Sequence, residues 1–295
     1  MTNDPQLNRG FQGRFFQALM AGNELEAKRT INLALDQKID IRSIYIEIIS
    51  KSQSAIGDLW LAGELGIAEE HLATQISLSQ MQKLRDIYVP RSSLGMSVVV
   101  AAVENEQHFI GPRMVADFLY FDGWDTHFLG SNMPAEALKN YVISQKINLI
   151  ALSATMPDSS KYISECVRTL RDIEPRIPIL VGGLLFQVEH GSDENLDVDA
   201  IAFDANDAVR RSRELMGLMP DGPTLEQLLS SLAMVIQSER KKRSWSQLEL
   251  SNRAGLDRAY ISGLENGKQN PTIEVVLKLA KAFDLKLDEL LKDPS

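Results

Sequence analysis

Five short apolar runs alternate with stretches of helical periodicity between residues 97 and 215, and this alternation constrains the fold more than any other feature. The runs are SVVVAAVE (starting at Ser97), WDTHFLG, NLIALSAT, PILVGG and DAIAF (ending at Phe203). An apolar run of this length bounded by turn residues fits a strand buried on both faces. Strands separated by helices join through crossovers, which makes their sheet parallel and covers it on both sides. Ligands of such sheets bind outside the carboxyl ends of the strands. The loop beginning at Asn105 lies at such a place.

The flanking segments read as helix. Before residue 90, apolar residues recur every three or four positions in FFQALM, LEAKRTINLAL and IYIEIISKSQSAIGDLW. Asn23 and Asp40 are expected N-caps, because a short side-chain oxygen takes up a backbone N–H left free in the first turn. Gly63 and Gly66 break the third helix from the fourth. Four antiparallel helices with short turns make a bundle. Gly217–Pro223 reads as a linker to a third, all-helical segment.

At 295 residues there is room for three domains. No apolar run approaches the ~20 residues that span a bilayer. The opening MTNDPQLNRGFQGRFF lacks the basic-then-apolar order of a secretion signal. A single cysteine, Cys166, excludes a disulfide framework. A cytoplasmic protein is expected. The net charge of −9 would speak against nucleic acid if it were evenly spread, but residues 224–295 hold eleven Lys and Arg against ten Asp and Glu. The acidity belongs to the first 223 residues, so it does not exclude DNA binding by the last segment.

The loop after the first strand reads ENEQHFIG, an E-x-H-x-x-G spacing of Glu106, His108 and Gly111. An imidazole there can ligate a metal through one nitrogen while the nearby carboxylate takes the proton of the other, fixing the tautomer. Glycine permits close backbone approach to a bulky ligand. One histidine is too few for zinc, whereas it suffices for a metal carried inside a macrocycle. Taken alone, His108 is equally a loop residue of a generic doubly wound domain.

These residues resemble the cobalamin-binding domain family, whose mark is D-x-H-x-x-G with the histidine as lower axial cobalt ligand. Ser153-Ala154-Thr155 after the third strand and Gly182-Gly183 after the fourth stand where that family lines the groove for the dimethylbenzimidazole tail. The resemblance covers roughly residues 97–215. Glu106 replaces the family's Asp, which alters reach and angle.

Upstream, Trp60 is followed by nine residues and then Glu70-His71. By itself this is a bundle-core tryptophan and a solvated pair at a helix start. Beside a cobalamin domain it resembles the Trp-x9-Glu-His signature of CarH/LitR-type cobalamin photoreceptors. That resemblance implies a Trp on the upper ligand side and a Glu-His pair contacting a 5′-deoxyadenosyl group. Leu61 departs from photoreceptors that carry a cobalt-capturing histidine directly after the Trp. His71 or water remains to fill that role. His127 and His190 are expected to be structural or solvent-facing.

Residues 243–291 resemble the Cro/cI-type helix-turn-helix family. Ser246–Arg253 is then the positioning helix and Asp257–Leu264 the recognition helix. Leu248, Leu250, Ala254, Ile261, Leu264 and Leu277 are the expected small core, and Glu265-Asn266-Gly267 closes the recognition helix with a C-cap glycine. The recognition helix of this family enters the major groove. By the resemblance, Arg258, Ala259, Tyr260 and Gly263 belong to the DNA-facing set, with Arg258 suited to guanine. Gln247 matches a phosphate-contacting glutamine, and Lys268 lies next to the backbone. Arg240-Lys241-Lys242-Arg243 is either a further phosphate contact or a solvated charged face.

The expected architecture is a four-helix bundle cap (1–92), a Rossmann-like five-stranded parallel sheet cobalamin-binding domain (93–216), a linker (217–223) and an all-α helix-turn-helix domain (224–295). The expected function is a non-enzymatic transcription regulator. It would bind adenosylcobalamin, with cobalt on His108, sense light, act as a homodimer or larger assembly, and bind operator DNA. Two alternatives stay open, a light-insensitive cobalamin or redox-sensing regulator and a corrinoid methyl-carrier protein.

Overall fold

In the computed structural model, which describes residues 5–187, 196–218, 225–267 and 269–290, the chain divides into two units, Met1–Met219 and Pro220–Ser295. The first opens with four helical rods. These are α1 (Pro5–Met20), α2 (Glu24–Asp36), a composite third rod, and α5 (Ile67–Ile87). Asn23 Oδ1 accepts from Glu26 N at 3.0 Å, and Asp40 Oδ2 from Ser43 N at 3.2 Å, so both caps form as expected. The third rod starts as α3 (Ile41–Ser43), widens into a π-helical stretch, Ile44–Ser50, and continues as α4 (Lys51–Leu61). Ile44, Tyr45, Ile48 and Ile49 of the π-stretch are all buried. Their spacing fits an α-helix equally well, so periodicity does not reveal the wider turn. Gly63, at φ 72°, turns the chain between α4 and α5.

The α/β part follows with β1 (Ser97–Val103), α6 (Ile110–Phe121), β2 (Asp125–Met133), α7 (Ala135–Gln145), β3 (Leu149–Ser153), α8 (Ser160–Arg171), β4 (Ile179–Gly182), β5 (Ala200–Ala202) and α9 (Ala205–Leu215). The sheet is parallel in the order β2-β1-β3-β4-β5. Strand order reverses direction between β1 and β3. In open α/β sheets that switch point leaves a crevice at the carboxyl ends, where ligands bind.

Cap and sheet share one apolar core, which runs from Phe15 and Ile31 through Tyr45, Met81, Phe118 and Phe121 to Val98 and Leu149. At its centre lies Asp117 of α6, wholly buried. It accepts from the Tyr45 hydroxyl at 2.9 Å, Arg85 NH1 at 2.5 Å and Arg113 Nε at 3.0 Å. Burial and the Asp117 charge push the Tyr45 pKa up, which keeps its hydroxyl a donor. A charge this deep needs such partners, and here they come from the π-stretch, α5 and α6. The cap is therefore built onto the sheet, with α5 pinned near its C-terminal end.

The second unit holds α10 (Leu225–Lys242), α11 (Gln247–Ala254), α12 (Arg258–Glu265), α13 (Ile273–Phe283) and α14 (Leu287–Leu290). Ser246 and Glu249 form a reciprocal capping box at the start of α11. Gly255 (φ 62°) and Gly267 (φ 64°) supply the left-handed turns after α11 and α12. Leu250, Ala254, Ile261 and Leu264 are buried, as expected. Leu248 and Leu277, also expected in the core, are exposed instead. Leu248 sits two residues, or about 200°, around the helix from Leu250. On α13 the inward places go to Val276, Leu279, Ala280 and Phe283.

Candidate functional site

The loop after β1 turns through Asn105, a non-glycine residue at φ 60°. Asn132, near the end of β2, holds it: its Oδ1 accepts from Asn105 N at 2.9 Å, and its N–H donates to the Glu106 carbonyl at 3.0 Å. This turn sends the Glu106 side chain beneath the loop, where it is fully buried. Oε1 accepts from His108 N at 2.9 Å and lies 2.7 Å from His108 Nδ1. Oε2 accepts from Thr155 N at 2.7 Å, Met156 N at 3.0 Å and Ser159 Oγ at 2.9 Å. One carboxylate thus ties the loop after β1 to the loop after β3 across the switch point. The methylene by which Glu exceeds Asp lets each oxygen serve a different loop.

Burial works against ionisation of Glu106. The hydrogen bonds from the His108 imidazole and from the Met156, His108 and Thr155 backbone N–H groups outweigh it, holding the carboxyl down at about 2. In return the Glu106 hydrogen bond raises the His108 pKa against the opposing effect of burial, and the negative charge of Glu70 raises it further. A carboxylate of the cap therefore sits close enough to the loop imidazole to act through space. With the Nδ1 proton given to Glu106, Nε2 of the neutral ring is the free nitrogen, on a side chain 47% exposed.

The glycines of the motifs divide by cause. A Cβ on Gly183 (φ 106°) would lie 2.2 Å from the Ala154 carbonyl oxygen, so the fold itself requires glycine there. One on Gly182 would stand 3.0 Å from the Ala202 oxygen. At Gly111 a Cβ would meet nothing within 4 Å, which leaves open space above the start of α6. Ser153 closes β3 and is buried, while Thr155 is half-buried. Met156, Leu184 and Phe203, just past β3, β4 and β5, expose apolar side chains at the same edge.

In the cap, Trp60 is half-buried in the last turn of α4, and Leu61 beside it is 72% exposed. Glu70 and His71 occupy the first turn of α5. Glu70 Oε2 lies 2.7 Å from His71 Nδ1, and Oε1 accepts from Thr74 Oγ1 at 2.9 Å. Glu70 thus lies within electrostatic reach of His108, and His71 is bonded to Glu70. His127 is 2.8 Å from the Tyr141 hydroxyl, away from this set. His190 lies outside the described residues. Among the described residues no three His, Cys, Asp or Glu side chains gather to hold a metal. A single imidazole with one nitrogen free and the other held by a carboxylate, as at His108, suits a metal that brings most of its ligands with it.

In the second unit Arg258 and Ala259 are exposed in the first turn of α12, and Tyr260 is half-buried against the core. A Cβ at Gly263 would stand 2.6 Å from Gln269 Cγ. Gln247 Nε2 donates to Glu265 Oε2 at 2.9 Å, and Arg240 grips the same carboxylate through Nε at 2.5 Å and NH2 at 2.9 Å. Burial would raise the Glu265 pKa, but the hydrogen bonds from Arg240 and Gln247 prevail and lower it. Within the basic run, Arg240 and Arg243 are taken up inside the fold, Arg243 by Glu239 and the Phe283 carbonyl. Lys241 and Lys242 remain exposed. Lys268 lies outside the described residues.

Sequence reasoning missed Ser159, the backbone of Met156, Gln269 and the Arg240–Glu265 pair. A polar PDSS following Ser-Ala-Thr-Met was the available hint of the first. The other three depend on side chains meeting across loops.

Comparison with known proteins identifies the domains. Two B12 binding domain models match, over residues 12–84 and 96–212, and a helix-turn-helix model matches residues 236–290. The chain thus carries a cobalamin-binding module, helical part and α/β part together, and a Cro/cI-type helix-turn-helix domain. That combination supports a cobalamin-dependent DNA-binding regulator. Dimethylamine corrinoid protein 1 of Methanosarcina acetivorans is 25% identical over 209 residues, covering 67% of this chain and 95% of that protein. The HTH-type transcriptional repressor CarH of Myxococcus xanthus is 26% identical over 153 residues, covering 52% of this chain and 50% of CarH. The chain therefore spans about half the length of that repressor. The structure of the Methanosarcina barkeri monomethylamine corrinoid protein superposes with a TM-score of 0.63 at 20% identity, covering 71% of this chain and all of that one. At that identity the likeness is one of fold. No helix among the described residues is long and apolar enough to cross a membrane.

Proposed function

We propose that the chain is a light-sensing transcription regulator that holds adenosylcobalamin between the helical cap and the carboxyl ends of β1, β3 and β4, and binds operator DNA through α12. The observation that carries this reading is the Glu106–His108 pair, whose buried carboxylate leaves Nε2 free where the charge of Glu70 is felt. A single imidazole of fixed tautomer suits a corrin-bound cobalt. When bound, the cofactor supplies a cobalt–carbon bond that visible light breaks.

The protein's residues hold and report. His108 and Glu106 serve the lower side, Gly111 leaves room for close approach, and Ser153, Thr155, Gly182 and Gly183 border the groove for the nucleotide tail. On the upper side Trp60 is a rigid apolar wall, and Glu70 and His71 offer hydrogen-bonding atoms to ribose and adenine. Leu61 has no atom that ligates cobalt, so no bond from that position holds the illuminated state, and its response is weaker or more reversible than in photoreceptors with histidine there. Dark and light states differ in what Glu70 and His71 touch. Only that difference shifts self-association or DNA affinity. Helix-turn-helix heads act in pairs on two-fold operators, so the working form is a dimer or larger. One observation favours a methyl-carrier instead, the 95% span of the dimethylamine corrinoid protein. That reading leaves the C-terminal domain without a task.

The test uses the full chain reconstituted in the dark with adenosylcobalamin. Absorption, size-exclusion and DNA mobility are read before and after green light. The reading expects a bleached cobalt–carbon band together with a change in assembly or DNA affinity. Bleaching with neither change leaves a cobalamin sensor and removes the photoreceptor. In His108→Ala, cob(II)alamin should lose its protein-nitrogen coupling in electron paramagnetic resonance, and a wild type without that coupling removes His108 as ligand.

A further inference from the structure

We propose that Gln269, which lies outside the recognition helix, reads an adenine edge in the major groove across the gap at Gly263. The inference rests on the DNA-binding reading of α12. Glycine inside a helix costs about 0.8–1.0 kcal/mol relative to alanine, so Gly263 calls for a reason. The structure supplies one. A Cβ there would stand 2.6 Å from Gln269 Cγ, 3.4 Å from Nε2 and 3.5 Å from Cδ. The Gln269 side chain therefore lies against α12, over the position that has no side chain of its own.

Ala259 and Gly263 are four residues apart and share one helix face. Between them they carry a single methyl group and no hydrogen-bonding side chain. Gln269 supplies what that row lacks. It is exposed, and its amide has no hydrogen-bond partner among the described residues. A carboxamide offers one donor and one acceptor in a plane, the complement of adenine N7 and N6. Arg258, exposed at the first turn of the same helix, suits guanine. Each half-site is therefore read by two side chains, one on the helix and one folded over it from the following loop.

The test enriches random duplex DNA on the full chain and compares wild type with Gln269→Ala, Gly263→Ala and Gln269→Glu. Asn270→Ala, at the exposed neighbour, is the control. Wild type should enrich a half-site with adenine at one position, preferred about 10- to 100-fold over other bases. Gln269→Ala should erase that preference and leave the remaining positions intact. Gly263→Ala should erase the same position, because the new methyl displaces a flexible side chain. Gln269→Glu should turn the preference toward cytosine, whose N4 donates. Matched thermal melts show that each variant folds, and Gln269→Ala carries the test if Gly263→Ala does not. An unchanged profile in Gln269→Ala, or an equal loss across all sequences as for a phosphate contact, overturns the proposal. A wild type that enriches nothing sinks the DNA-binding reading itself and this inference with it.

Discussion

Replacing Glu106 with glutamine keeps its size and removes its charge. In the native site His108 N–H and Nδ1–H converge on one carboxylate oxygen, while Thr155 N–H, Met156 N–H and the Ser159 hydroxyl converge on the other. An amide has one oxygen, so its NH2 must face one of these groups of donors. Turned toward β3, it orphans two backbone N–H groups. Turned toward His108, it orphans the His108 N–H and makes Nδ1 an acceptor, moving the ring proton to the nitrogen a metal needs. The carboxyl is held at about 2 rather than 4.5, and that difference corresponds to about 3 kcal/mol at 1.36 kcal/mol per pH unit. Because the folded value lies below the unfolded one, this stabilisation is complete above about pH 4.5 and is lost as pH falls toward 2. Urea unfolding of the cobalamin-free protein at pH 7 should therefore show Glu106→Gln less stable by about 2–3 kcal/mol, and the gap should narrow in acid. Cobalamin affinity should fall about 10- to 100-fold, with loss of nitrogen coupling in the cob(II)alamin spectrum. A variant that unfolds at the same urea concentration and binds within twofold of wild type would refute the reasoning.

Asp117→Ala leaves Arg85, Arg113 and the Tyr45 hydroxyl without their buried acceptor, and should cost about 3–5 kcal/mol in urea unfolding followed by tryptophan fluorescence. An unchanged midpoint would show that the anchor contributes nothing. Arg240→Ala strips Glu265 of its two-pronged partner, so Trp245 fluorescence should report an earlier melt while cobalamin absorption holds. Cys166 is buried, and burial together with Glu165 pushes its thiol up to about 12. Iodoacetamide at pH 8 should leave it unmodified in the native protein and label it in urea, as read by mass spectrometry. Leu61→His should place a nitrogen beside the upper corrin face and slow the dark return after illumination. Identical return kinetics would place position 61 away from cobalt.

The fold was legible where pattern and local chemistry coincide. Five apolar runs became five strands, and Asn23, Asp40, Ser246 and Gly267 punctuate helices as their side chains or φ angles demand. The Glu106–His108 pair was legible because two residues in one loop must be neighbours. What escaped depends on partners distant in sequence. Ser159 reaches Glu106 from 53 residues away and Asp117 gathers Tyr45 from 72, distances over which spacing carries no signal. The helix-turn-helix resemblance puts Leu248 and Leu277 in the core, yet short helices such as α11 and α13 bury only a narrow stripe, which here passes through Leu250 and through Val276 and Leu279. The π-helical stretch was invisible because 44, 45, 48 and 49 serve either helix type.

The Asp117 anchor has a mechanical meaning. Arg85 is pinned, while Glu70 stands fifteen residues nearer the N-terminus of the same helix, about 22 Å away at 1.5 Å per residue. The helix thus joins the shared core at one end to a carboxylate within electrostatic reach of the loop imidazole at the other. A tilt of about 5° at the Arg85 end moves the Glu70 end by about 2 Å, enough to make or break a hydrogen bond. In the proposed regulator a signal generated near Glu70 would therefore need no separation of cap from sheet. It would reach Tyr45, Arg113 and the aromatic rings packed around them through the helix.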